Sequence, residues 1–242
     1  MVMDIEGIVI NTKNYGDTSK IIDIFTKEYG VIGVMAKGCK SLKSNLRSVT
    51  DKLIYANFTL YYKKDKLSIL SEASVINNFS NIKKDIEKIS YASFLLDLTN
   101  QVYKQSENSS LYDILIGALL KINANFNPIA ITNIAELKYL EYLGVMPILD
   151  GCCICGSKNI ITLSSDKGGY LCAKCRTSEP LVSDKVLKLV RMYALVDINK
   201  ISKLDLNNDV INAVNRFIDD YYDRYTGLYL KSKEFLNKLK ND

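Results

Sequence analysis

The sequence predicts an α+β chain, a small β-barrel followed by an all-helical body that is interrupted by a cysteine-rich insert. Three observations carry this expectation. Residues 1–80 hold five short β-branched runs separated by turn residues. From Asn81 onward, apolar residues recur at helical spacing. Between two helical stretches stand two C-x-x-C pairs, Cys152/Cys155 and Cys172/Cys175, with sixteen residues between the pairs.

The strand runs come first. Ile5–Ile10 is β-branched although it alternates poorly, Lys20–Thr26 carries Ile21, Ile22, Ile24 and Phe25, and Gly30–Lys37 follows the Tyr29–Gly30 turn. Leu53–Tyr62 and Leu67–Ile76 join across the charged tip Lys63–Lys66 as a hairpin. Five strands in about eighty residues suit a small closed barrel such as the five-stranded OB-fold, and the pattern also admits an SH3-like barrel.

The helical runs follow. Asn81 is the expected N-cap of a first helix through Ile82, Ile86, Ile89, Phe94, Leu95, Leu98 and Val102. Leu111–Ile122 makes a second, and a third opens at Asn127–Pro128 and ends at Gly144. Beyond the cysteines, Ser183 caps a helix through Tyr193 and another begins near Asn207–Asn208. A short basic helix, Lys231–Lys240, follows. These apolar stripes read as core rather than as a cofactor pocket.

The insert carries the clearest chemistry. Two C-x-x-C pairs at this spacing are the signature of a four-thiolate zinc site, each pair on a tight turn that lets two sulfurs converge on one ion. Gly156 suits the first turn, and Gly168–Gly169 reads as the turn of a hairpin that delivers Tyr170 and Leu171 to the second pair. Four thiolates leave no place for a catalytic water, so one structural Zn2+ is expected on Cys152, Cys155, Cys172 and Cys175. Cys153 would pair with Cys155 only as C-x-C, a poorer knuckle, and Cys39 reads as an ordinary buried thiol.

Composition narrows the function classes. At 242 residues, 48% hydrophobic and 24% charged, the chain is an ordinary globular protein with material for real cores. A net charge of +5 permits a nucleic-acid partner without demanding one. Asp4 and Glu6 break the first apolar run, which excludes a secretory signal, and no apolar stretch is long enough to cross a membrane. Six cysteines without an export signal point to a reducing cytoplasm and favour metal over disulfides. There is no histidine, which removes the commonest general base and every His-assisted nucleophile.

A basic segment separates the third and fourth strands. Lys37, Lys40, Lys43 and Arg47 stand among Gly38, Ser41, Ser44 and Ser48, with no acidic residue before Asp51. Such a loop suits phosphate tracking, since cations release counterions while hydroxyls and amides bond phosphate oxygens. The same charges also describe a solvated loop with no partner. Most of the 16 tyrosines read as core, and none is singled out as a platform for a base.

Several separated stretches resemble one family. Near the start they are Gly7-Ile8-Val9, Tyr15 to Lys20, Phe25 to Gly30 and Ala36-Lys37-Gly38. In the middle they are Leu137 to Pro147 leading into Cys152-x-x-Cys155-Gly156, then Gly168-Gly169-x-x-Cys172-x-x-Cys175 and, late, Leu230 to Leu236. In this order and over nearly the whole chain, the combination is similar to the bacterial recombination mediator RecO.

The resemblance implies an N-terminal OB-fold at 1–80, a helical domain in two parts at 81–149 and 181–242, and a zinc-binding insertion at 150–180. It implies no enzyme but a cytoplasmic, nucleoid-associated DNA repair protein of the RecF pathway. Such proteins bind single- and double-stranded DNA, anneal complementary strands, and with RecR help load RecA onto DNA covered by single-strand-binding protein. By position, Lys37–Arg47 is similar to the family's DNA-contacting loop, although Ser41 stands where a denser basic cluster is expected. Two other classes share parts of the chemistry: a zinc-dependent nuclease or thiol redox protein, and an RNA-binding or regulatory barrel.

Overall fold

A computed structural model describes residues 1–64, 66–233 and 236. Five strands form a closed barrel in the order β1-β2-β3-β5-β4: β1 (Val2–Tyr15), β2 (Ser19–Thr26), β3 (Gly30–Ala36), β4 (Tyr55–Tyr61) and β5 (Ser68–Asn77). β1 is longer than its apolar run because it serves two neighbours. Its first half pairs with β4 and its second with β2, with a bulge between Val9 and Asn11. Closure comes from a short parallel contact of β3 with β5, at Val34↔Ser68 and Met35↔Ile69.

The poor alternation of Ile5–Ile10 has a physical reason: both faces of β1 are buried. Ile5 and Val9 join Ile22, Ile24, Phe58 and Leu60 inside the barrel. Ile8 and Ile10, with Phe25 of β2, point the other way into the core of the helices. The barrel therefore shares a hydrophobic surface with the helical body. Gly30 marks how close the contact is: it has φ +63°, and a Cβ there would fall 1.7 Å from the Tyr103 hydroxyl. Glu6 adds a polar anchor, accepting from the Tyr55 hydroxyl at 2.5 Å and the Tyr112 hydroxyl at 3.1 Å. Burial, then the neighbouring carboxylate, push the Tyr55 phenol up to about 12.

The helices are α1 (Ser80–Lys83), α2 (Ile86–Ser106), α3 (Ser110–Asn123), α4 (Pro128–Tyr142), α5 (Asp184–Leu195) and α6 (Asn208–Tyr225). α4 is apolar nearly all round and lies at the centre of the bundle, packed on α2, α3, α5 and α6. Asn127 caps it by accepting from the Ala130 amide, as its place before Pro128 predicts. Two buried hydroxyl pairings tie the bundle, Tyr139 with Thr99 at 2.7 Å and Tyr222 donating to the Glu136 carbonyl at 2.8 Å.

The expected start of the first long helix is corrected. Asn81 is not its N-cap, because Asn123 at the end of α3 captures the Asn81 and Ile82 amides and holds them in α1. The chain then breaks, and Asp85, in an extended conformation, caps α2 through the amides of Glu87 and Lys88. A 3-10 turn at Ile198–Lys200, not foreseen from the sequence, packs on α3, where a Cβ on Gly117 would lie 2.3 Å from Asn199. Of the expected C-terminal basic helix, Lys231–Lys233 are helical and Leu236 is buried. The remainder lies outside the described residues.

Candidate metal centre and basic loop

Between α4 and α5 the chain forms a small hairpin, β6 (Ile160–Ser164) with β7 (Gly169–Cys172), and places one C-x-x-C turn on either side of it. The hairpin's turn runs through Ser165–Gly168, so Gly169 opens the second strand instead of sharing the turn. In the first C-x-x-C turn the Gly156 amide donates to the Cys152 carbonyl at 2.8 Å. In the second, the Cys175 and Arg176 amides donate to the Cys172 carbonyl at 3.2 and 3.0 Å.

These turns bring Cys152, Cys155, Cys172 and Cys175 together with every Sγ within 4.8 Å of the others, and Cys155 and Cys172 at 3.6 Å. A tetrahedron of sulfurs at about 2.3 Å from one ion has edges of about 3.8 Å. The four sulfurs thus stand within about 1 Å of a ligand arrangement, and well beyond the ~2 Å of a disulfide. Cys153 lies outside the cluster and Cys39 is buried in the barrel core.

The electrostatics favour a cation. Burial raises the Cys152 thiol, but the amides of Cys155, Cys172 and Ile154 outweigh it and bring it down to about 6. Cys172 is likewise lowered, the Cys175 amide overcoming its burial. Cys175 is pushed up to about 12, by the Cys155 sulfur first and then by burial and the Cys172 and Cys152 sulfurs. Amides thus draw the Cys152 and Cys172 thiols down, while the neighbouring sulfurs push Cys175 up. A bound cation reverses that upward push, since a coordinated thiol is deprotonated outright. Four sulfurs fill a tetrahedron, so the arrangement can hold a metal ion without offering a reactive position.

The insert is fastened to the helices. Ile148 bonds Gly168 and Tyr170 through its backbone at 2.9 and 3.1 Å, and a Cβ on Gly169 would lie 2.3 Å from the Ile148 oxygen. Tyr170 is 1% exposed, sits in the helical core, and donates to the Leu187 carbonyl of α5. On the hairpin's other side Arg224 pairs with Asp166 at 3.1 Å and the Tyr225 hydroxyl bonds the Asp166 carbonyl.

The basic segment is a succession of tight turns: Ser41, Ser44 and Arg47 donate their amides to the carbonyls of Gly38, Ser41 and Ser44. Cys39 and Val49 pin it into the barrel. Lys37, Lys40, Lys43 and Arg47 are exposed, and among the described residues none is ion-paired with an acid. Lys40 is held by its backbone to the Thr18 carbonyl at 2.8 Å, and the Gly38 amide donates to Ser19 at 3.2 Å. The four cations are thus carried on a fixed backbone.

Two further features escaped the sequence. At the other end of β3, Tyr29 and Tyr62 stand side by side with ring centroids 5.3 Å apart, flanked by Lys63 and Lys66. The tyrosine of the Tyr29–Gly30 turn and the charged hairpin tip were legible, but not that they meet. Between α5 and the segment that leads into α6 runs a groove of about 470 Å³ with Leu189, Met192, Leu206 and Val210 along it and Lys185 and Lys188 at its side. Among the described residues, no helix is long and apolar enough to cross a membrane.

Comparison with known proteins identifies the family. Residues 1–79 match the family described as Recombination protein O N terminal, and residues 83–234 match Recombination protein O C terminal. A "DNA repair protein RecO" of Halalkalibacterium halodurans is 33% identical over 241 residues, 98% of this chain and 94% of that protein. Proteins of the same name from Listeria monocytogenes (serotype 4b, strain CLIP80459) and Bacillus velezensis are 34% and 32% identical, covering 97% and 100% of this chain and 93% and 96% of theirs. With both family halves matched in order and full-length relatives above 30% identity, the chain belongs to the RecO family of recombination and DNA repair proteins.

Proposed function

We propose that the protein is a DNA-binding recombination mediator that acts by binding and remodelling, not by bond chemistry. Family membership supports the role in DNA repair and recombination. The observation that carries the DNA-binding part is the row Lys37, Lys40, Lys43 and Arg47, exposed on a pinned loop of the barrel. We assign to it the phosphates of single- and double-stranded DNA. The strand order 1-2-3-5-4 with a parallel β3–β5 seam supports an OB-fold for residues 1–80. Residues 81–149 and 181–242 are then one helical domain, and 150–180 a zinc ribbon holding one structural Zn2+ on Cys152, Cys155, Cys172 and Cys175.

The partners we assign are RecR, single-strand-binding protein and, indirectly, RecA, at the nucleoid in the cytoplasm. The groove beside α5 suits the acidic tail of single-strand-binding protein, with apolar residues for its end and Lys185 and Lys188 for its carboxylates, Asp205 lining it with them. The deciding experiment measures annealing of complementary strands coated with single-strand-binding protein, with cleavage and RNA preference followed in the same buffer. Annealing without cleavage is expected. DNA cleavage that depends on Cys152 would turn the reading to a zinc-dependent nuclease, and a strong preference for RNA to a regulatory barrel.

A further inference from the structure

The seam of the barrel opens into a cleft of about 350 Å³ where β3 and β5 part company. The two strands pair only at Val34↔Ser68 and Met35↔Ile69, so upstream the β3 backbone at Val31–Gly33 faces the β4–β5 connection across a gap. Tyr29 and Tyr62 line this gap with their rings tilted 44° to one another, Tyr29 being 37% exposed. Lys63 and Lys66 line it too, exposed and without an ion pair among the described residues. Gly33 and Leu67 form its floor, and a Cβ on Gly33 would reach 3.0 Å from the Leu67 methyl, so glycine keeps the floor low.

The backbone carrying both tyrosines is fixed by hydrogen bonds. The Thr26 hydroxyl donates to the Gly30 carbonyl at 2.9 Å and accepts from the Tyr29 amide at 3.0 Å, which fixes the β2–β3 turn. The Tyr62 amide donates to the Met1 carbonyl and the Lys63 amide to the Ser68 hydroxyl, which fixes the other wall. An aromatic wall with cations at its rim is the chemistry that holds an unpaired base by its π-face and the adjoining phosphate by charge.

We propose that this cleft is a base-stacking subsite for single-stranded nucleic acid, with Tyr29 and Tyr62 as the platform and Lys63 and Lys66 as the phosphate contacts. The proposal rests on the DNA-binding reading above and adds a second point of attachment to it. Tyr29 precedes β3 and Lys37 follows it, so the cleft and the basic loop lie at opposite ends of one strand. Eight residue steps at about 3.3 Å each separate Tyr29 from Lys37 by about 26 Å. At a stacked rise of about 3.4 Å per nucleotide, a strand touching both spans on the order of eight nucleotides.

The test compares an oligothymidylate of about 12 nucleotides with an abasic oligomer of equal length, both titrated by fluorescence anisotropy against the full chain. Tyr29→Leu and Tyr62→Leu should each weaken the oligothymidylate by about fivefold or more while leaving the abasic oligomer unchanged. Tyr29→Phe and Tyr62→Phe keep the ring and should stay within about twofold of the parent. Lys63→Ala with Lys66→Ala, which leaves the wall intact, should weaken both oligomers. Leucine variants that bind the oligothymidylate as the parent does, or that lose both oligomers equally, overturn the stacking subsite alone. A parent protein that binds neither oligomer overturns the DNA-binding reading and this proposal with it.

Discussion

The basic loop yields the sharpest test of the DNA-binding reading. Lys37, Lys40 and Lys43 are exposed, and none donates a side-chain hydrogen bond or joins an ion pair within the described residues, so replacing all three by alanine removes three charges and no internal contact. Stability should stay within about 0.5 kcal/mol. Each phosphate neutralised on a single strand contributes about 0.7 to the slope of log K against log salt. If all three lysines contact phosphates, the slope should become shallower by about 2. Between 50 and 200 mM salt, the gap between parent and variant should then narrow by about 20-fold, because that slope difference acts over about 0.6 of a log unit. Anisotropy titrations of a labelled single strand at four or five salt concentrations measure it, with Lys203→Ala as a control that alters net charge away from the loop. Parallel lines for parent and triple variant would refute the assignment of this loop to DNA, even if the variant binds more weakly throughout.

Three further outcomes follow from the geometry. Elemental analysis should find about one zinc per chain, kept by Cys153→Ser and lost on Cys155→Ser; equal metal in both variants would mean the wrong four sulfurs were assigned. Gly169→Ala should cost about 3 kcal/mol in denaturant unfolding, since its Cβ meets the Ile148 backbone at 2.3 Å; Gly144→Ala, also at positive φ but with open space around it, should cost only about 1–2 kcal/mol. Asp85→Ala should cost about 1 kcal/mol through loss of the α2 cap. The Lys88 amide, with that of Glu87, holds the Asp85 carboxyl below its ordinary value of 3.8 in the folded protein. The cap's contribution is therefore complete above that value and fades as the pH falls below it, so parent and variant should converge in stability under acid.

What the sequence made legible follows the range of the forces involved. Strand runs such as Lys20–Thr26 and helices such as Leu111–Ile122 rest on local periodicity, and both appear within a residue or two. The cysteine pairs were legible because a tight turn sets the spacing of each. Features fixed by distant partners were not. Asn81 has the chemistry of a cap, but Asn123, forty-two residues away, takes it. Ile5–Ile10 loses its alternation because helices cover its second face, which no strand pattern alone can announce. Tyr29 and Tyr62 meet only because the barrel closes β3 against β5 in parallel, so their adjacency belongs to topology rather than to any window of sequence.

The place of the four-cysteine cluster in the molecule argues for what loss of a bound ion there would reach. Its hairpin enters the helical core through Tyr170, which bonds the first turn of α5 at Leu187, and it touches α6 through Asp166 with Arg224 and Tyr225. α5 and the segment leading into α6 are the two walls of the lysine-flanked groove, and among the described residues none of the contacts that fasten the insert reaches the barrel. Structural zinc sites in small domains carry about 10–16 kcal/mol of binding free energy, far more than the hairpin's few apolar contacts can replace. Removing the ion should therefore loosen the insert and, through Leu187, the α5 side of the groove. The barrel keeps its own core of Ile22, Ile24, Phe58 and Leu60, and with it the pinned basic loop. Chelation should leave salt-dependent DNA binding nearly intact while raising hydrogen exchange in α5, and a loss of DNA binding in proportion to zinc would show that the two surfaces are not separate devices.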